Sequence, residues 1–146
     1  MKYKSIAIVS IVAIVIIAVF LFIRWYYSPI QIFQRKFDFA LPKSTKVINY
    51  DFKFFWEERL CMKASFDASD YDYMEKALEN RFSHIVKNNP DYRIPNYHIF
   101  FSWWKIKKDE IIMSHYYMTS GRREKTREVD IIITLENGEY FLYVIH

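Results

Sequence analysis

The N-terminal part of the chain contains a long stretch without charge, from Ser5 to Ile23. Fourteen of its nineteen residues are isoleucine, valine, leucine or phenylalanine. At about 1.5 Å of rise per residue, a helix of this length nearly matches the ~30 Å hydrocarbon core of a bilayer. The apolar side chains favour insertion by about 4 to 8 kcal/mol. The sequence therefore predicts a transmembrane helix over residues 5–23.

The apolar run is followed directly by Arg24, Trp25, Tyr26 and Tyr27. A cleaved signal peptide has a shorter apolar stretch, of about 7 to 15 residues, and then a cleavage site made of small residues. No A-x-A pattern follows the run here. Tryptophan and tyrosine are enriched at the headgroup level of retained helices, where an arginine extends outward. We predict that these four residues lie at the membrane interface and that the helix is an uncleaved signal anchor.

The positive charges on either side of the apolar run bear on its orientation. Lys2 and Lys4 precede the run, and Arg24, Arg35 and Lys36 follow it, so the two counts nearly balance. A short N-terminal tail that has only positive charge commonly stays in the cytoplasm. We therefore expect a single-pass protein of the cell membrane. Its predicted parts are a cytoplasmic tail (1–4), the transmembrane helix (5–23), a juxtamembrane helix and linker (24–44) and an extracytoplasmic domain (45–146).

The length and charge of the remaining chain limit its function. About 120 residues follow the apolar run, enough for one domain with a single core. Without Lys2 and Lys4 the chain has 19 basic and 17 acidic residues, so its net charge is +2. Nucleic-acid binding normally needs a strong basic stripe, and the basic run 121–128 is interrupted by Glu124 and Glu128. We therefore predict no nucleic-acid partner.

Alternating apolar and polar residues predict an antiparallel sheet. Residues 46–52 and 56–66 alternate with the period of two that is typical of strands, and they are predicted to form a hairpin around Lys53. Residues 110–119 predict a third strand. Two more strands flank Asn137-Gly138, a dipeptide typical of a type I′ turn because both central residues of that turn need positive φ.

Capping residues and apolar periodicity predict two helices after the anchor. Ser28, Pro29 and Gln31 form a capping-box pattern that predicts a short helix before the linker at Pro42. Ser69 is expected to cap a helix over residues 70–86, whose apolar stripe consists of Tyr71, Met74, Leu78, Phe82 and Ile85. The predicted fold class is α+β: a transmembrane helix, a short helix, and a ββαβββ domain with one antiparallel sheet and a helix packed on one face.

Residue types that bind metals or catalyse reactions show no familiar spacing. The histidines, at positions 84, 98, 115 and 146, lack spacings such as H-x-x-x-H. Cys61 is the only cysteine, so no disulfide forms within the chain, and it lies in no protease signature. The acidic residues between positions 67 and 79 lack the EF-hand glycine and suit the start of a helix. We predict no catalytic residue, metal, cofactor or small-molecule ligand.

The segments "ALPKST", "WW" and "ENGEYFLYVI", which follow a single span, give the chain a recognisable outline. In this outline it resembles small uncharacterised bacterial single-pass membrane proteins with a C-terminal α+β domain. The resemblance includes no catalytic motif and implies no activity.

Three classes of function remain compatible with these features. The first is a non-catalytic binding module that the membrane anchor holds on the outer face, with the bilayer and another membrane or envelope protein as partners. An inhibitor or immunity-type protein that shields the membrane from a toxin is a narrower form of this class. The second is a structural subunit of a membrane complex, and the third is an enzyme whose site is assembled from distant residues.

Trp103 and Trp104 are the most informative aromatic pair of the domain. Adjacent residues point to opposite faces of a strand, and they lie about 100° apart on a helix, so we expect one ring at the edge of the domain. One alternative is that this ring packs beneath the proline-containing loop 88–96. The other is that it forms an exposed patch that docks a partner or the bilayer surface, together with Tyr97, Phe100 or Phe101.

Overall fold

A computed structural model of the chain describes residues 2–53, 59–82, 85–88, 94, 101–119 and 127–146. Within these residues the chain forms an α+β structure with one antiparallel sheet. The helices are α1 (Lys2–Tyr26), α2 (Pro29–Phe37) and α3 (Tyr71–Arg81). The strands are β1 (Lys46–Lys53), β2 (Arg59–Phe66), β3 (Ile85–Lys87), β4 (Ile111–Thr119), β5 (Arg127–Glu136) and β6 (Glu139–Ile145).

Helix α1 is long and apolar enough to cross a membrane over Ile8–Tyr26, and none of this stretch is buried against the rest of the chain. A signal sequence near the N-terminus would meet the same criterion of length and hydropathy. Helix α2 follows after a break and begins as predicted, because the Ser28 hydroxyl accepts a hydrogen bond from the Gln31 N–H at 3.4 Å. Its last residue is Phe37, and the C-cap residue Asp38 adopts a left-handed conformation with φ 59°.

The strands lie in the order β1-β2-β6-β5-β4-β3, and every neighbouring pair is antiparallel. The turn between β5 and β6 is the one predicted. Asn137 and Gly138 have φ values of 53° and 84°, and Glu136 pairs directly with Glu139. Strand β2 begins at Arg59 within the described residues, and the predicted start of this strand at position 56 lies outside them.

The order of elements differs from the predicted ββαβββ by one additional strand. Helix α3 ends at Arg81 because Phe82 adopts an extended conformation, and Ile85–Lys87 then forms β3 at the far edge of the sheet. The apolar stripe predicted a helix as far as position 86 because Ile85 fits its spacing. In the structure Ile85 packs against the same core, but it does so from a strand. The predicted Ser69 cap is also wrong, since a 3₁₀ turn at Ala68–Asp70 precedes α3 and its N-cap residue is Asp70.

The two faces of the sheet contact two separate groups of buried side chains. We call the first group the helix layer, because residues of α2 and α3 join the sheet there: Ile32, Phe33, Phe37, Met74 and Leu78 with Leu60, Met62, Ala64, Phe66, Ile131, Ile133, Leu142 and Val144. We call the second group the aromatic layer, and it consists of Cys61, Trp104, Ile111, Ile132, Tyr143 and Ile145 with half-buried Phe101 and Trp103 packed against them.

Candidate functional site

The end of α1 displays the aromatic residues that the sequence predicts for a membrane interface. Trp25 is 54% exposed, and Tyr26 and Tyr27 are also exposed. Their rings form a connected group: the Phe22 ring lies 6.0 Å from that of Trp25 and 5.9 Å from that of Tyr26, and the Tyr26 and Tyr27 rings are 5.2 Å apart. Amphipathic rings grouped at one end of an exposed apolar helix are suited to the boundary between hydrocarbon and headgroups.

Arg35 connects this aromatic end to the next helix. Its guanidinium donates a hydrogen bond to the Tyr26 carbonyl at 2.7 Å and lies 3.9 Å from the centre of the Tyr26 ring. The Tyr26 carbonyl lies in the last turn of α1, where carbonyls accept no hydrogen bond from an N–H of the same helix. We call Arg24, Trp25, Tyr26, Tyr27 and Arg35 the collar. In the sequence Arg35 is recognisable only as a flanking charge, because its contact with Tyr26 depends on the break between α1 and α2.

The second candidate region is the aromatic layer. Trp104 is only 1% exposed, and its ring lies 5.1 Å from that of Tyr143 in an edge-to-face arrangement. The ring of Trp103 lies 5.8 Å from that of Trp104 and 5.2 Å from that of Phe101. These geometries are typical of favourable aromatic pairs.

The backbone explains how two adjacent tryptophans reach one layer. Residues 101–104 form a turn, closed by a 3.0 Å hydrogen bond from the Trp104 N–H to the Phe101 carbonyl. The segment is neither a strand nor a helix, so the expected divergence of the two rings does not apply. Of the predicted patch, Trp104 is buried, Trp103 and Phe101 are half-buried, and Tyr97 and Phe100 lie outside the described residues. The patch stays a prediction.

A polar cluster that sequence analysis missed lies beside the aromatic layer, centred on Glu136. One carboxylate oxygen accepts hydrogen bonds from the Tyr143 hydroxyl at 2.6 Å and the Thr134 hydroxyl at 2.7 Å. The other oxygen pairs with the Lys63 ammonium at 3.0 Å. The same ammonium lies 4.3 Å from the centre of the Phe141 ring. The cluster thus connects β2, β5 and β6 through side chains.

The electrostatics of this cluster fix its charge state. Burial by itself raises the pKa of Glu136, but the hydrogen bonds from its three donors outweigh burial and hold this pKa below its ordinary value. Burial raises the pKa of Tyr143, and donation to the charged Glu136 raises it further. A carboxylate whose two oxygens already accept strong hydrogen bonds is a weak base. The arrangement therefore favours stabilising the sheet over proton transfer.

Two acidic residues of α3, Glu75 and Glu79, have a basic partner on the neighbouring strand β3. The Lys87 ammonium on β3 lies 2.8 Å from a carboxylate oxygen of Glu75 and 2.8 Å from one of Glu79. The hydrogen bond from Lys87 lowers the pKa of Glu75. Ser44 donates to Asp70 and connects the linker to the start of α3. Within the described part of the chain, no group of three or more histidine, cysteine or acidic side chains is placed to hold a metal ion.

Comparisons of the chain with protein-family models, curated proteins and solved structures gave no match. The proposals for function therefore rest on the residues described above.

Proposed function

We propose that the chain is a membrane-retained protein whose α1 is a permanent anchor and whose α+β domain is a non-catalytic binding module outside the cytoplasm. The bilayer is its first partner, and another membrane or envelope protein is its second. The contact between Arg35 and Tyr26 provides the main support. Cleavage of the chain after Tyr26 would remove the apolar run together with the carbonyl that accepts this hydrogen bond and the ring beneath the guanidinium.

Two more contacts at the same junction favour retention. The Ser28 N–H donates to the Trp25 carbonyl at 3.0 Å, and the Tyr27 N–H donates to the Ile23 carbonyl at 3.0 Å. The chain is therefore continuously hydrogen-bonded from the apolar helix into the cap of α2. Since α2 contributes Ile32, Phe33 and Phe37 to the helix layer, the anchor is joined to the domain by a folded connection.

Retention is tested by the intact mass of the full chain extracted from membranes, before and after an alkaline carbonate wash. We expect the mass of all 146 residues in the washed membrane. A product that lacks about 25 N-terminal residues would contradict retention. The Arg35→Ala variant should still be retained, because insertion depends on the apolar run, but its collar should become more accessible to protease.

Orientation is tested separately with an impermeant maleimide on intact cells. Lys105→Cys places a thiol at an exposed position of the domain, and Lys2→Cys provides the matched thiol in the N-terminal tail. The native Cys61 is buried, which keeps the background low. We expect labelling at position 105 without permeabilisation and at position 2 only after it. The opposite pattern would overturn the proposed orientation.

A further inference from the structure

Strand β1 forms one edge of the described sheet and exposes apolar side chains there. It is eight residues long, whereas β3 at the opposite edge has only three. Ile48 is 49% exposed and Tyr50 is 56% exposed. Long edges with apolar side chains invite pairing with another strand, and proteins normally shorten, charge or cover them. The length and apolar character of β1 therefore make it a docking edge.

The bulge in β1 gives its side chains a symmetric arrangement. Cross-strand partners in an antiparallel pair share a face. Val47 pairs with Ala64, and Tyr50 pairs with Met62, so both point to the helix-layer face. The register shifts between Val47 and Asn49, which leaves Ile48 without a partner on β2.

The flanking charged residues lie on the other face. Asp51 pairs with Cys61, which belongs to the aromatic layer, and Lys46 pairs with Ser65, four residues farther along the same strand. Positions 46 and 51 therefore point to the aromatic-layer face and positions 47 and 50 to the helix-layer face, with the two bulge positions between them. The order of faces is the same in both directions along the strand. The centre of this order lies between Ile48 and Asn49.

We propose that β1 pairs antiparallel with β1 of a second copy of this chain, with Lys46 opposite Asp51 and Val47 opposite Tyr50. In this register every pair outside the bulge shares a face. The two-fold axis is perpendicular to the joined sheet, so both α2 helices stay on one side of it. The inference rests on the proposed function in one respect: two chains anchored in one membrane must present their anchors on the same side.

Charge complementarity selects this register. Symmetry makes the contact between Lys46 and Asp51 occur twice, and within the described residues neither side chain forms an ion pair. A shift of two residues would instead place Lys46 opposite Lys53, twice. Like charges directly opposite each other destabilise a strand pair. The proposed register therefore removes the repulsion and also covers the exposed Tyr50.

Charge reversal on the full chain in detergent micelles tests the pairing, with energy transfer between fluorescently labelled copies as the readout. Lys46→Asp and Asp51→Lys should each weaken the dimer about tenfold, because each change creates two like-charged pairs. The double variant should restore the dissociation constant to within about threefold. Within one strand, positions 46 and 51 are about 17 Å apart, so the rescue is possible only between chains.

Three results of this test would overturn the proposal: a chain that stays monomeric, a dimer indifferent to both single reversals, and a double variant that is not rescued. The last two would assign association to α1 or to another surface. Lys105→Asp, an exposed reversal outside β1, is the matched control and should leave the dimer unchanged; equal weakening by this control would also count against the pairing. Carbonate extraction of each variant separates the two proposals, since loss from the membrane contradicts the anchor and not the pairing.

Disulfide cross-linking tests the register itself. A mixture of Val47→Cys and Tyr50→Cys chains should cross-link between the two variants, because these positions face each other across the axis. Each variant alone should cross-link at most a tenth as well. Position 47 of one copy lies about three residues along the strand from position 47 of the other copy, and the same holds for position 50. The unaltered chain, with its buried Cys61, is the background. Equal cross-linking in the mixture and in the separate variants, or none in the mixture, would refute this register.

Discussion

The helix layer and the aromatic layer pack against opposite faces of the same strands, but they are covered in different ways. Two helices with a regular apolar stripe close the first face. A segment without regular structure, residues 101–107, contributes Trp104 and its neighbours to the second. A helix stripe repeats its contacts every three or four residues, whereas an irregular segment depends on a few large rings. Single residues should therefore matter more in the aromatic layer.

The largest effect should come from Trp104→Ala. Trp104 is almost fully buried against Tyr143, so its removal leaves a cavity, and we expect a loss of about 3 to 5 kcal/mol in the free energy of unfolding. Trp103→Ala should cost about 1 to 2 kcal/mol, because this ring is half-buried. Denaturant titration of both variants in the same detergent measures the difference.

Trp104→Phe is the control for this comparison, since it keeps an aromatic ring and should recover part of the loss. Equal costs of about 3 kcal/mol or more for Trp103 and Trp104 would place both rings in the core. The exposed patch predicted around Trp103 would then lose its anchor residue, and the two layers would differ less than proposed.

The same contrast explains how much of the structure could be predicted from sequence. The alternation of residues 56–66 predicted a strand, and in β2 the alternate residues Leu60, Met62, Ala64 and Phe66 all lie in the helix layer. The turn at Asn137-Gly138 followed from its backbone requirement. The end of α3 could not be predicted in this way. The apolar spacing continues through Phe82 into β3, although the backbone becomes extended at Phe82.

The candidate sites were predictable only where they are local in sequence. Arg24 to Tyr27 are consecutive, so their position at the end of α1 could be inferred. The contact of Arg35 with Tyr26 bridges nine positions and a helix break. The Glu136 cluster joins three strands, with Lys63 separated from Glu136 by 73 positions. No periodic pattern specifies such contacts, because they depend on strand order.

A smaller effect should follow from Gly138→Val, which tests how the two layers are kept apart. The β5–β6 turn sets the register that sends Ile131 and Val144 to the helix layer and Ile132 and Tyr143 to the aromatic layer. A one-residue slip would exchange the faces. A Cβ at position 138 meets no atom within 4 Å, and the expected cost comes from the positive φ of this position. We expect about 1 to 2 kcal/mol, measured by thermal unfolding.

Gly138→Asn is the matched control for the turn, because asparagine tolerates positive φ better than a β-branched residue. It should cost clearly less than valine. Equal melting temperatures for the two variants and the unaltered chain would show that the turn does not set the register, and the separation of the layers would need another cause.

The smallest effect concerns Glu136, whose carboxylate is the centre of the polar cluster beside the aromatic layer. Its folded-state pKa lies below the ordinary value of 4.5, so its contribution to stability is present above pH 4.5 and is lost as the pH falls through the folded-state pKa. Glu136→Gln should remove this part of the acid dependence. Because the cluster is partly open to water, we expect a loss of about 1 kcal/mol at neutral pH. Glu139→Gln, which replaces an exposed carboxylate in the same hairpin, is the matched control.

Tyr143→Phe removes one donor to Glu136 while keeping the ring against Trp104. The pKa of Glu136 should therefore rise, and the loss of stability should begin at higher pH. If Glu136→Gln and the unaltered chain show the same dependence of unfolding on pH, the cluster does not stabilise the folded chain through its charge, and the aromatic layer is held by its rings alone.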